Sequence, residues 1–445
     1  MTSGAVMPLL LRFTFPIMLS GLLQQLYGAV DTAVVGRFSG PEALGAIGAT
    51  SSLTNLILAL FIGMSTGAGI IVAQFIGAED KKSVSQAVHT AFAFSIAGGL
   101  FLMFFGGFFS GKILQLMSVP DEILPLSKTY MTIYFLGSVP SLIYNFGAGI
   151  LRASGDSKRP LYYLIVATVV NITFNLIFVI VFHLGVKGVA ISTIMSQTIT
   201  AILVVLRLKK TDDMVKLSIN KIKFHKKMFL KIVMIGVPAG IQSSVFSFSN
   251  TIIQSTINTF GKSAVAGCAA SSQVENFVYM VMNAISVAST TFISQNFGAG
   301  KFNRCSDGMK KSFVFVTAVG VMLGAALYLF KIPLLGLFTE DSDALRLGSQ
   351  RLIVFAFTYF LCGIMEILSG AIRGYGDSLS PMLISLVGVA GSRMLWIFTV
   401  LPFKRAISTV YAAFPISWFI TTIALSVRYV IYKKKLKERH QKAFS

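Results

Sequence analysis

The sequence predicts an all-α integral membrane protein of twelve transmembrane helices, built as two parallel-repeat six-helix bundles. Three observations predict this: a charge-poor apolar composition, twelve apolar stretches of membrane-crossing length, and a repeat between the two halves. Of 445 residues, 54% are hydrophobic and only 12% charged. A water-facing surface of ordinary charge density cannot be assembled from that composition, so the solvent must largely be lipid. A helix needs about 20 apolar residues to cross roughly 30 Å of hydrocarbon.

The spans follow in order. Helix 1 (12 to 36) starts at Arg12; it is too long for a cleaved signal peptide, almost lacks a basic leader, and carries Gln24, Gln25 and Asp31 inside it. Helix 2 (50 to 76) ends in QFIGA, and helix 3 (86 to 110) follows. Helix 4 (126 to 151) runs into the turn LRASGDSKRP, and helix 5 (160 to 183) starts at Pro160. Helix 6 (187 to 207) leads to a basic linker. Helix 7 (229 to 258) contains Pro238, helix 8 (267 to 295) contains Glu275 and ends in QNFGA, and helix 9 (310 to 331) follows. Helix 10 (347 to 372) carries Glu366 into IRGYGDSLSP, helix 11 (381 to 402) carries Arg393, and helix 12 (406 to 432) precedes a basic tail. The expected division is a bundle over 1–207, a linker over 208–228, a second bundle over 229–432 and the tail 433–445.

The formal net charge of +21 points to topology rather than to nucleic acid, because the basic residues follow loop parity instead of one exposed face. With a cytoplasmic N-terminus, 27 basic residues fall on the inner side and ten on the outer, leaving Arg393 inside helix 11. Both termini are therefore expected in the cytoplasm, in a multi-pass protein of the plasma or inner membrane. The runs KLSINKIKFHKKMFLK and KKKLKERHQK are expected to face anionic headgroups. Cys268, Cys305 and Cys362 are widely spaced, so neither a disulfide framework nor a thiolate metal site is implied.

Arg152, Gly155, Asp156, Ser157 and Pro160 each recur 221 positions later, as Arg373, Gly376, Asp377, Ser378 and Pro381. The same offset pairs Gln74, Gly77 and Ala78 with Gln295, Gly298 and Ala299, and nearly the same one pairs Pro16 with Pro238. Six crossings per repeat is an even number, so both copies enter from the same side, related by a pseudo-twofold axis along the membrane normal. Rocking of the bundles would give alternating access. In RxxGDSxxP the Gly supplies a tight turn, the Asp caps the next helix or pairs with the Arg, and the Pro starts that helix. The other reading is a cytoplasmic gate whose ion pairs break on rocking. Pro16 and Pro238 lie inside long spans, where the missing N–H and the ring bend a helix, as a hinge or as a static kink.

Asp31, Glu275 and Glu366 are the acids well inside spans, and a carboxylate there costs about 2.5 to 3.5 kcal/mol on insertion scales. Asp31 lies about six residues, or ~9 Å of rise, from the outer end of helix 1. Asn171 comes near the midplane of helix 5, with Asn175 one turn on along the same face. These amides can share a polar pocket with Asp31. Desolvation there favours a neutral carboxyl that exchanges a proton; equally, carboxylate and amide oxygens suit Na⁺. Both remain open. In the second half Glu275 takes the repeat position of Thr54 and Glu366 that of Asn145. Arg393, one residue past the partner of Asn171, is expected to neutralise Glu275 or Glu366.

FGKS at 260–263 lacks the glycine a phosphate loop needs, and four scattered histidines make no clustered metal site. No enzyme activity and no cofactor are expected. The chain resembles the multidrug and toxic compound extrusion (MATE) family through PIMLSGLLQQLYGAVDTAVVGRFSG, the QFIGAED and QNFGAGK helix ends and both RxxGDS elements, over nearly its whole length. That resemblance implies an antiporter exchanging H⁺ or Na⁺ for amphipathic, often cationic compounds. It implies a cation or proton site of Asp31, Tyr27, Asn145, Asn171 and Thr193, with Pro16 as the bending proline. Asn175 stands where many members have Asp, which removes one negative charge from any Na⁺ site at Asp31, Asn171 and Asn175. Helix 7 lacks the acid of one branch, so the chain looks closer to the DinF-like branch. Counting from Arg152 places Asn145 in the inner half, deeper than Asp31.

Phe246, Phe248, Phe277, Tyr279 and Met280 are candidates for substrate contact through stacking and cation–π attraction, or for ordinary helix packing. A flippase for lipid-linked oligosaccharides, for which Arg393 speaks, and a channel or non-transporting scaffold are the competing readings. The expected partners are amphipathic small molecules and the bilayer, with the chain acting as a monomer.

Overall fold

A computed structural model describes the backbone of residues 1–117 and 119–444, and their side chains except at 52, 53, 55, 56, 437 and 439–444. Part of the expected tail 433–445 thus lies outside the described residues. The first helices are α1 (Val6–Phe38), α2 (Gly40–Gly77), α3 (Lys81–Leu116), α4 (Leu124–Leu136) and α5 (Ser138–Ala153). Then come α6 (Lys158–Leu176), closed by a π turn at Ile177–Val181, α7 (Val186–Lys210), α8 (Lys226–Asn258), α9 (Lys262–Gly298), α10 (Phe302–Gly336) and α11 (Ser342–Gly374). A second π turn, Leu386–Gly391, separates α12 (Leu379–Ser385) from α13 (Ser392–Thr399), and α14 (Ile407–Phe444) ends the chain.

Twelve membrane spans result when the bent pair α4–α5 counts as one. The chain is an all-α membrane protein. The expected single helix over 126–151 is broken at Gly137, with a bend of 49° between its parts. Pro140 explains the break: it has no N–H for the carbonyl four residues back, and Gly137 N closes a tighter bond to Tyr134 O at 3.0 Å.

The chain forms two compact units, one of Leu19–Val237 and one of Met1–Met18 with Pro238–Ser445. The division falls inside α1 and α8, beside Pro16 and at Pro238, whereas the sequence places it in the loop 208–228. Side chains explain this. Val6, Leu10 and Phe13 of α1 pack into the core that holds Met282, Phe355 and Tyr411. Met228, Ile232 and Ile235 of α8 pack into the core that holds Ala68, Phe92 and Phe146. A Cβ on Gly67 would meet Ile232 O and Gly236 N at 2.7 Å, so these two helices touch backbone to backbone, the small-residue packing that membrane helices favour.

The repeat is visible in the backbone. Glu79 (φ 57°) and Gly300 (φ 69°), 221 positions apart, both take the left-handed conformation after their QFIGA and QNFGA helix ends. Gly155 (φ 95°) and Gly376 (φ 100°) do so in the two RxxGDS turns. The aspartates that follow act as helix caps: Asp156 Oδ1 accepts Arg159 N at 3.1 Å and Asp377 Oδ1 accepts Ser380 N at 3.0 Å. Neither pairs with the arginine of its own motif. Asp156 meets Arg159 at 2.6 Å, and Asp377 meets Arg428 of α14.

Burial alone would raise the Asp377 carboxyl, but hydrogen bonds from Ser380 and the Arg428 guanidinium hold it below the usual carboxylate value. A depressed folded value means stability that is present above the ordinary carboxylate range and lost as pH falls through the folded one. Asp377→Asn keeps a capping oxygen but loses the charge that faces Arg428, and is therefore expected to cost about 1 kcal/mol at neutral pH, the upper range for a partly exposed ion pair. Melting curves in detergent should show the gap to wild type closing below about pH 4; a gap independent of pH would refute this account.

Candidate functional site

Asp31 sits seven residues before the end of α1 and is buried, 8% exposed. Val34 and Val35, the next turn, pack with Ala43 of α2, Val179 after α6 and Val186 and Val189 of α7, which fixes this stretch of α1 against α6 and α7. Asn175 of α6 donates through Nδ2 to Asp31 Oδ1, and the same amide donates to Asn171 Oδ1 at 3.4 Å. From α7, Thr193 Oγ1 reaches Asp31 Oδ2 at 3.4 Å while also bonding Val189 O at 2.9 Å. Ser192 Oγ meets Asn175 Oδ1. Tyr27, one turn before Asp31, shares a hydrogen bond of 2.8 Å with Ser196 Oγ.

The orientation of Asn175 follows from chemistry. An ionised carboxylate only accepts, so the amide must turn its N–H₂ to Asp31, and its oxygen is left to Ser192. Asn171 Oδ1 is likewise taken by an N–H. The structure thus brings Asp31, Asn171, Asn175 and Thr193 together, with Tyr27 at the edge. Asn145 is not among them: its Nδ2 donates to Ser141 O at 2.8 Å and its carbonyl accepts from Ser65 Oγ at 2.7 Å, both inside the bundle near α2 and α5. It stands on α5, whereas Asp31 is held by side chains of α6 and α7. Sequence reasoning missed Ser192 and Ser196, which stand beside and one turn beyond Thr193, and the stacked pair Tyr130 and Tyr134 of α4, centroids 6.0 Å apart.

In the second half, Glu275 of α9 forms a buried bidentate pair with Arg351 of α11, both N–O distances 2.7 Å. Arg351 Nη1 also touches Cys268 Sγ, and its guanidinium lies 5.2 and 5.3 Å from the rings of Phe355 and Phe414. The expected pairing of Arg393 with Glu275 or Glu366 is therefore corrected. Repeat alignment gives depth along a helix but not the direction it faces: Glu275 faces α11, and Arg393 faces α8 and α14. Arg393 donates to Ser417 Oγ at 3.0 Å, Ser249 Oγ at 3.3 Å and Asn250 Oδ1 at 2.9 Å. Glu366 is 8% exposed, and its carboxyl has no ion pair among the described residues.

Of the aromatic candidates, Phe248, Phe277 and Tyr279 are exposed, and Phe246 packs half-buried against the core. Met280 is half-buried. Pro16 and Pro238 lie within α1 and α8, which run through them as continuous helices.

The family model MatE matches twice, over residues 16–177 and 238–399. Among curated proteins, the probable multidrug resistance protein YoeA of Bacillus subtilis is 28% identical over 95% of this chain and 93% of its own. The probable multidrug resistance protein YpnP of the same organism is 30% identical, covering 87% and 86%. Among solved structures, the outward-facing conformation of a multidrug resistance MATE family transporter of the MOP superfamily superposes with a TM-score of 0.92 at 20% identity, covering 98% and 97% of the two chains.

Proposed function

The chain belongs to the MatE family of membrane transporters, and from that premise we propose that it exports amphipathic, often cationic compounds in exchange for protons. The observation that carries the choice of ion is the set of atoms around Asp31. A hard cation such as Na⁺ wants several oxygen ligands. Here Asn175 offers nitrogen to the carboxylate, and both amide oxygens already accept hydrogen bonds. That arrangement suits a carboxylate that gains and loses a proton.

The coupling follows from the same contacts. Ionised Asp31 is held to α6 and α7 by donors; once protonated, it accepts less well and must itself find an acceptor. Its links to Asn175 and Thr193 then weaken, and α1 is released from α6 and α7. In this reading, the proton taken from outside favours one access state and its loss to the cytoplasm favours the other. In the same reading both termini lie in the cytoplasm and one chain suffices for transport.

Ethidium loaded into proteoliposomes tests this. A pH gradient alone is expected to drive its movement, and a Na⁺ gradient at equal pH is expected to give only the passive leak. Movement driven by Na⁺ and indifferent to pH would overturn the proton assignment; no gradient-dependent movement of any cationic dye would overturn the export reading.

A further inference from the structure

Among the described residues, the unit of Met1–Met18 with Pro238–Ser445 holds a deeply buried guanidinium, that of Arg393, with no carboxylate to neutralise it. Arg351 is balanced by Glu275. Arg393, 3% exposed, has no carboxylate within 4.0 Å among the described residues. Its three acceptors, Ser417, Ser249 and Asn250, are neutral and engage only Nε and Nη1. Nη2, with two N–H groups, has no hydrogen-bond partner among the described residues. The Phe414 ring lies 4.4 Å from Cζ and steadies the plane of the group.

Local backbone supports a built site. The π turn Leu386–Gly391 ends two residues before Arg393 and resets the helix that carries it; such turns are frequent at functional sites. A guanidinium in the membrane interior costs about 2.5 to 3.5 kcal/mol on insertion scales and marks a functional site by default. Its planar fork matches a carboxylate or phosphate better than any other partner.

We infer that Arg393 binds an anionic oxygen group, a carboxylate or a phosphate, carried by an amphipathic molecule. The substrate class thereby widens from cations to anionic and zwitterionic amphiphiles. This names a substrate class for the exporter proposed above and rests on that reading for transport, but the binding is measurable without transport.

The chain's two tryptophans flank the site and report on it. Trp396 is one turn beyond Arg393 on α13, and Trp418 follows Ser417 and packs on Phe414 with centroids 6.0 Å apart. In nanodiscs of phosphatidylcholine, 4-iodobenzoate is expected to quench the full chain's tryptophan fluorescence saturably. Unlabelled benzoate should relieve the quenching and benzyltrimethylammonium should not. Arg393→Gln should weaken the half-saturation by about tenfold or more, and Arg393→Lys, which keeps the charge but not the fork, should fall between. Relief by the cation as effective as by benzoate, a measurement that needs no variant, overturns the inference. So does equal quenching of wild type and Arg393→Gln.

Discs doped with phosphatidylglycerol separate the sources of the anion. Lost quenching there assigns the site to a lipid headgroup, and retained quenching assigns it to a soluble amphiphile; each supports an anion at Arg393. Exchange of ethidium for protons is scored on separate vesicles. Its absence would sink the export reading and leave the anion measurement standing.

Discussion

Asp31→Asn is expected to bring the pH-driven ethidium gradient to nothing while leaving the protein folded. One pH unit is worth about 1.4 kcal/mol per proton, or about tenfold in dye concentration for one-for-one exchange. An amide cannot carry that proton, so the steady-state ratio falls from about tenfold to one at a gradient of about one unit. The fold survives because Asn has the shape of Asp and its oxygen still accepts from Asn175 Nδ2, the bond that ties α1 to α6. Thermal melting separates this loss of coupling from loss of structure. Pumping by Asp31→Asn with unchanged pH dependence would move the coupling site elsewhere.

The second large effect concerns stability. Glu275→Leu leaves the Arg351 guanidinium buried without its countercharge, and Arg351→Met leaves the carboxylate in the same position. Each is expected to cost about 3–5 kcal/mol, the usual penalty for breaking a buried pair from one side. The double variant Glu275→Leu with Arg351→Met removes both charges and should recover most of the loss, since well-packed apolar residues replace such pairs at little cost. Unfolding in detergent of all four proteins gives the coupling energy. Additive losses would show that the two groups do not depend on each other, and that Cys268 and the surrounding rings hold Arg351 by themselves.

Twelve spans and the tandem repeat were legible because they rest on apolar run length and on turn residues that leave a fixed pattern. Asp31 with Asn171 and Asn175 was legible for a related reason: polar atoms are rare in lipid-facing helices, so each one stands out, and spacing along α6 puts both amides on one face; Thr193 joined them only through the family resemblance. Arg351 was not. It lies near the start of a span and reads as an interfacial anchor, while its burial depends on how α9 and α11 are rotated about their axes. The partners of Arg393 and the kink at Gly137 were hidden by the same limitation, since hydrophobic runs carry little information about azimuth. The π turns leave no sequence mark comparable to a proline.

The division of the chain beside Pro16 and at Pro238 has a consequence for biosynthesis. Residues 19–237 form a unit whose last component, the start of α8, follows the basic loop in the chain. That unit therefore cannot close until the ribosome has passed residue 237. Residues 1–18, made first, belong with segments made last, and must stay unclaimed through the insertion of six helices. Cutting the chain in the loop at 211–225 would give two pieces, each retaining an opening segment that the other one needs.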